Sequence, residues 1–324
     1  MKKLVFVICF LFIILLSGCG DTYTYSDYQK YNKGGSEITE KIDNINIDWI
    51  SGNVKFDFHK ENNIKFYEES SLEISEDREM RYYYNDNELY IKFAKSGIKT
   101  WSLNKKDLIV LLPYETKLKD VNINNVSSDI NINAILCEKM YINNVSGNIE
   151  MSCSKINESS IQTVSGNVDI TASMSVNSIK AESVSGEINV TVDKIDTLIL
   201  ESVSGKINVK GNEINSLNLG SASGSIKCQV LNIYKSILKS VSGKIVIECS
   251  DDDVEFNVET VSGDVNIFST VQLNCILEIE TTSGSFSSDF NYKNIEKDIY
   301  EYGTGKINNK IKTVSGSIKI RKLI

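Results

Sequence analysis

A Val-Ser-Gly triplet or a close variant recurs through most of this 324-residue chain, with its glycine at Gly147, Gly166, Gly186, Gly205, Gly224, Gly243, Gly263 and Gly284. The spacing is nearly constant, and Val126-Ser127-Ser128 precedes the series by one more step, with serine replacing glycine. A fixed period, here roughly 20 residues, restricts a fold more than local propensity does, because every repeat must offer the same surfaces to its neighbours. Outlying copies stand at Ile50-Ser51-Gly52 and Val314-Ser315-Gly316. The interval from Gly52 to Ser128 equals four such steps, so degenerate rungs are expected there.

Aligned on the glycine, the repeat resolves into columns. Two residues after it stand Val54, Ile130, Ile149, Val168, Ile188, Ile207, Ile226 and Ile245, and four after it Phe56, Ile132, Met151, Ile170, Val190, Val209, Cys228 and Ile247. Polar residues such as Glu150, Asp169, Asn189 and Lys227 lie between them. Alternation of period two with β-branched residues on one side describes a half-buried strand. A second strand precedes the glycine, with Ile142, Ile161, Leu200, Leu219 and Leu238 five residues upstream. Its apolar positions have the opposite parity, so a bend is expected at Ser-Gly, where glycine supplies a positive φ at little steric cost. In-register strands of this kind are best satisfied by stacking as parallel neighbours, which predicts a β-solenoid with rungs of roughly 19–20 residues. An antiparallel meander or sandwich is the competing topology, disfavoured by a single proline and few Asn-Gly or Asp-Gly pairs. Stacking also predicts opposite charges in adjacent rungs, Glu187 over Lys206 and Lys244 over Asp264.

The N-terminus carries an address. Lys2 and Lys3 precede an apolar run from Leu4 to Leu16, too short to span a bilayer comfortably, and Leu16-Ser17-Gly18-Cys19 closes it. The pattern reads as a signal peptide over residues 1–18, and its ending resembles the bacterial lipobox, which implies cleavage between Gly18 and Cys19 and acylation of Cys19. The expected localisation is the extracytoplasmic face of the cell membrane, held by lipid. Residues 19–40, polar and with tyrosines at 23, 25, 28 and 31, read as the acylated cysteine and a flexible tether. Residues 41–120 read as a strand-rich N-terminal part of the solenoid, and 121–324 as the regular repeat, with an insertion at 289–302 and a C-terminal cap. The charged end strand Lys319-Ile320-Arg321-Lys322 is expected to discourage edge-to-edge growth.

Composition narrows the function. With 35 Lys+Arg against 43 Asp+Glu, net charge −8, the chain lacks the basic face of a nucleic-acid binder. One histidine, His59, leaves no multi-histidine metal site and no histidine to spare for a triad; it reads as an exposed strand-end residue. Serines repeated in every rung indicate a backbone role rather than an activated nucleophile. The outward columns show no repeated carboxylate pair of the kind a glycan-active β-helix enzyme needs. Asp251-Asp252-Asp253 is a weak Ca²⁺ candidate, more simply a solvated turn, and no cofactor is expected. Beyond Cys9 and Cys19, the cysteines are Cys137, Cys153, Cys228, Cys249 and Cys275; only Cys228 with Cys249 could bridge adjacent rungs, and poorly, while Cys228 reads as a small core residue.

The lipobox, the Ser-Gly repeats, Leu108-Ile109-Val110-Leu111-Leu112-Pro113 and the closing Gly303-Thr304-Gly305-Lys306-Ile307 together resemble the adhesin-like DUF4097 family over roughly residues 40–324. The resemblance implies a cell-envelope setting. The expected function is a non-catalytic, membrane-anchored adhesin or scaffold, with the bilayer as one partner and a cell-wall, glycan or envelope-protein ligand as another. An accessory regulator of envelope stress that binds a membrane protein is the main alternative, and a glycan-active enzyme the third.

Overall fold

The computed structural model describes residues 22–323 apart from 101–103, 174–175, 251 and 253. Strands dominate, and 3-10 turns are described at Tyr28–Lys30 and Glu76–Arg78. The chain divides into two compact units, one of residues 1–151 and 161–166, the other of 152–160 and 167–324.

The second unit is a β-solenoid-like stack of parallel strands. Ile188–Ser202, Ile207–Ser221 and Ile226–Ser240 lie side by side, Ile188 against Ile207 and Ile207 against Ile226. Each strand turns corners within itself. In the first of them Ile188, Val190 and Val192 point inward, then Ile195, then Leu198, Leu200 and Ser202, with exposed residues at the corners between. Inward spacing is therefore two along a flat face and three at each corner, so a rung has more sides than two alternating columns suggest. Burying six such aliphatic side chains contributes about 1.5–3 kcal/mol apiece before entropy is counted.

The last strands do not end this stack. Glu255–Glu259 and Cys275–Thr281 are separated by Ile307–Thr313, which pairs in parallel with both. Ile318–Lys322 likewise fills the slot between Val265–Ser269 and Phe286–Ser288. The expectation of a charged end strand at 319–322 is thus corrected: that strand is paired on both sides. The outer position belongs to the segment before it, where the hairpin Lys293–Glu296 and Ile299–Glu301 pairs antiparallel with Cys275–Thr281.

The first unit is built by the same device. Asn44–His59 stacks in parallel on Lys117–Asn144, with Gly52 directly beside Ser128. Its other edge meets Glu88–Lys92 and Asp107–Pro113, also parallel. The stretch between Gly52 and Ser128 is therefore not four rungs. It forms one outer layer, plus Ile64–Glu69 and Arg81–Asn85, which pair antiparallel with that layer. The repeat length divides the interval evenly, but inward columns in register with Asn44–His59 come only from Leu89, Ile91, Leu108, Val110 and Leu112, and the rest of the interval is spent on the antiparallel strands and their connections.

The tether is also corrected. Thr22–Tyr23 pairs with Ile98–Lys99, Asn32–Lys33 with Arg81–Asn85, and Ser36–Ile38 with Ile64–Glu69, all antiparallel. Four tyrosines supply the reason: Tyr23, Tyr25, Tyr31 and Tyr83 form a run of ring contacts with centroids 5.0–5.7 Å apart. Aromatic area of that size outweighs the entropy of a short polar segment. Antiparallel pairing is confined, among the described residues, to this N-terminal region and the 293–301 hairpin, while the repeats pair in parallel.

Candidate interaction surfaces

The repeated glycines line one column, and their role differs from the expected one. Only Gly52 and Gly147 among them have φ in the left-handed region, at 110° and 103°. The others are required by proximity. A Cβ on Gly205, Gly224, Gly243 or Gly263 would fall on the carbonyl oxygen of the glycine one rung before, and one on Gly316 or Gly284 on that of Gly263 or Gly316. In the first unit the same overlap sets Gly166 against Gly147, Gly147 against Ser128 and Gly52 against Lys106.

A second column, three residues before each glycine, was not singled out by periodicity although it is Ser, Thr or Asn in nearly every copy. Thr163, Ser183, Ser240, Thr260, Thr281 and Thr313 accept the N–H of Gly166, Gly186, Gly243, Gly263, Gly284 and Gly316 at 2.8–3.2 Å. Asn125 and Asn144 instead donate to the carbonyls of Ser128 and Gly147, both at 2.6 Å. At Gly52 the position is Trp49, whose Nε1 donates to the Lys106 carbonyl at 3.0 Å. Each partner satisfies a backbone group that the bend removes from the ladder. The hydroxyls of the Ser-Gly serines are committed too: Ser146, Ser165, Ser204 and Ser223 donate to a valine carbonyl of the adjoining rung at 3.2–3.3 Å.

Outward columns carry ladders of amides and acids. Asn208 Nδ2 donates to Asn189 Oδ1 at 2.8 Å, and Asn189 to Asp169 at 2.9 Å. Asn212 donates to Asp193 and Asn215 to Asp196, both at 2.7 Å. The first unit repeats the pattern, with Asn122 on Asn46, Asn124 on Asp48 and Asn143 on Asn124 at 2.9–3.0 Å. Opposite charges do meet across rungs, as Lys194–Glu213 at 2.7 Å and Lys239–Glu259 at 3.0 Å. The two acids named from sequence have other partners: Glu187 accepts from Asn208 and Asp264 from the Ser317 N–H.

In the first unit a groove of about 700 Å³ has the polar residues Asn53, Asp107 and Asp129 and the apolar residues Ile109, Leu111 and Ile130 in its walls. Asp107 Oδ1 accepts from the Asn53 N–H and Nδ2, both at 2.9 Å, and Asp129 from the Asn148 N–H at 2.7 Å. No nucleophile and base pair off in it. Nearby, Lys106 is buried, donating to Glu68 and to the Arg78 carbonyl and lying 4.4 Å from the Phe93 ring centroid. Burial lowers its pKa while the Glu68 carboxylate opposes that shift. The pair ties the Asp107–Pro113 edge to the antiparallel layer, and both residues line a second cavity of about 1170 Å³ with Ser70, Glu79 and Asp129.

The remaining candidates separate. His59 ends its strand but is largely covered, its Nε2 2.6 Å from the Asn63 carbonyl. Cys137, Cys228, Cys249 and Cys275 are buried and in no disulfide, so Cys228 and Cys249 are not bridged. Burial raises the Cys228 thiol pKa and pushes Cys275 up to about 11. Gly18, Cys19, Asp251 and Asp253 lie outside the described residues, and Asp252 is exposed. Among the described residues no group of three or more His, Cys, Asp or Glu is placed to hold a metal, and no helix is long and apolar enough to cross a membrane.

The family model described as Toastrack DUF4097 matches residues 42–226 and 154–321. Similar solved structures include a "putative adhesin" from Parabacteroides distasonis, 13% identical with a TM-score of 0.42, covering 90% of this chain and 97% of the other. A "putative lipid binding protein" from the same organism is 17% identical at TM-score 0.43, with the same coverage. A "putative adhesin" from Bacteroides fragilis is 14% identical at 0.36, covering 88% of this chain and 95% of the other. No curated protein matches the chain.

Proposed function

The chain belongs to the Toastrack DUF4097 family, and from that premise we propose that it is a non-catalytic, lipid-anchored surface protein whose body serves adhesion or envelope scaffolding. The observation that carries this reading is the set of amide and acid ladders on the outward columns. Asp169, Asn189 and Asn208 offer matching groups on three successive rungs, and Asp193 with Asn212 and Asp196 with Asn215 on two. A ligand that is itself repetitive can meet several rungs at once, so weak contacts add by multivalency. The hydroxyls of Ser146, Ser165, Ser204 and Ser223 are bonded to backbone carbonyls, which supports a structural role for the repeated serines. Cys19 supplies the anchor in this reading, and the ligand is wall polymer, glycan or another envelope protein.

The test is a pull-down with the acyl-free chain from residue 20, run in parallel on intact cell wall and on solubilised membrane, read by mass spectrometry. Saturable retention on wall material is the expected result. Selective recovery of one membrane protein without wall binding overturns adhesion and favours the regulatory alternative. Product released from a glycan panel overturns the non-catalytic part.

A further inference from the structure

The ordered N-terminal arm limits how far the body can stand from its anchor. Thr22 and Tyr23 are in register with Lys99 and Ile98, and the Gly97 N–H donates to the Tyr23 carbonyl at 2.7 Å. Tyr25 adds three bonds: its N–H donates to Ser96 Oγ at 3.1 Å, its hydroxyl to the Ala94 carbonyl at 3.1 Å, and its carbonyl accepts from Ser96 Oγ at 3.2 Å. The Phe93 N–H donates to the Tyr23 hydroxyl at 3.2 Å. Only three peptide steps separate Cys19 from Thr22, at most about 11 Å of extended chain. A free tether running from residue 19 to 40 would instead have an end-to-end distance of roughly 25 Å and a far longer reach.

We infer that the corner of the first unit carrying Thr22–Tyr23 and Ile98–Lys99 lies against the lipid headgroups. The inference rests on acylation of Cys19, and adds that the anchor orients the body as well as retaining it. Charge permits the approach. Although the whole chain is at −8, this corner sets Lys30, Lys33, Lys95 and Lys99 against Asp27, Glu76 and Asp77, the acids that pair with the first three. An anionic membrane surface therefore meets no excess of negative charge there. The ligand surfaces of the proposed function must lie away from this corner.

The test uses the full acylated chain in vesicles of phosphatidylethanolamine and phosphatidylglycerol, with a fluorophore on Lys99→Cys and a fraction of lipids bearing a headgroup nitroxide quencher. Wild-type protein treated identically supplies the background. Mass spectrometry of the N-terminal peptide first establishes acylation; an unacylated Cys19 overturns the premise and the inference together. With acylation present, strong quenching is expected, falling at least twofold when a long Gly/Ser linker is inserted between Asp21 and Thr22. Quenching at background without the insertion shows that the arm peels away and overturns the inference while leaving the anchor intact. Full quenching retained with the insertion overturns the short connection as the cause.

Discussion

Replacing Gly224 by alanine tests whether the glycine column exists for proximity or for backbone conformation. Gly224 is not in the left-handed region, so an alanine there carries no φ penalty. Its Cβ would, however, lie 2.6 Å from the Gly205 carbonyl carbon, where carbon atoms rest at about 3.5–4.0 Å. The rungs must part by roughly 1 Å, enough to break N–H···O bonds of ordinary length. Those nearest are Ser223 N–H to the Val203 carbonyl at 2.9 Å and Ala222 N–H to the Ser202 carbonyl at 3.2 Å. Losing one or two bonds costs about 0.5–1.5 kcal/mol each, and overpacking adds about 1–3 kcal/mol. The expected destabilisation of Gly224→Ala is therefore about 1.5–6 kcal/mol. Gly220→Ala is the control four residues away, where the nearest atom to the new Cβ is Glu201 Cγ at 3.7 Å. It should change stability by less than about 1 kcal/mol, in the stabilising direction, because alanine loses less entropy on folding. Guanidinium denaturation followed by far-ultraviolet circular dichroism reads both. Equal midpoints for the two variants would refute the reasoning.

Four further outcomes follow. Ser240→Ala removes the buried acceptor 2.8 Å from the Gly243 N–H and should cost about 1–3 kcal/mol in the same assay, whereas Ser240→Thr should be tolerated because Thr260 and Thr313 make the same bond. Tyr23 has its pKa raised, first by burial and then by Asp48, so the fold holds the neutral phenol; stability is intact below the ordinary tyrosine pKa of about 10 and declines as pH rises beyond it. Denaturation midpoints between pH 8 and 11 should fall, and fall less steeply in Tyr23→Phe. The buried thiols Cys137, Cys228, Cys249 and Cys275 should resist a water-soluble disulfide reagent in the native protein and react in denaturant. Cys228→Val should unfold within about 1.5 kcal/mol of wild type, since its column neighbours are Val209 and Ile247.

What the sequence determined was the repeating unit. The columns at Ile188, Val190 and Leu200 define inward faces by pattern alone, because a period of two admits one burial solution once the rungs are in register. The opposing parity on either side of Ser-Gly also implied the bend. The inward residues between, Ile195, Ile214 and Ile233, were not legible, since spacing by three at a corner matches neither strand alternation nor a helix. The need for glycine was visible but not its cause, because a clash with the rung before involves an atom one whole repeat away along the chain. Thr163 and its equivalents were present in nearly every aligned copy, yet a buried hydroxyl has meaning only once the Gly N–H it satisfies is known to have left the ladder.

Tertiary structure alone decided the order of the strands. Nothing local distinguishes Ile318–Lys322 from an end strand, but its pairing with Val265–Ser269 and with Phe286–Ser288 sets it inside the stack. Asn44–His59 is inserted in the same way between Lys117–Asn144 and the layer formed by Glu88–Lys92 and Asp107–Pro113. Register chemistry is nearly the same from rung to rung, so sequence specifies that a strand belongs in the stack without specifying where; long-range pairing and the packing of Tyr23, Tyr25 and Tyr31 settle the rest.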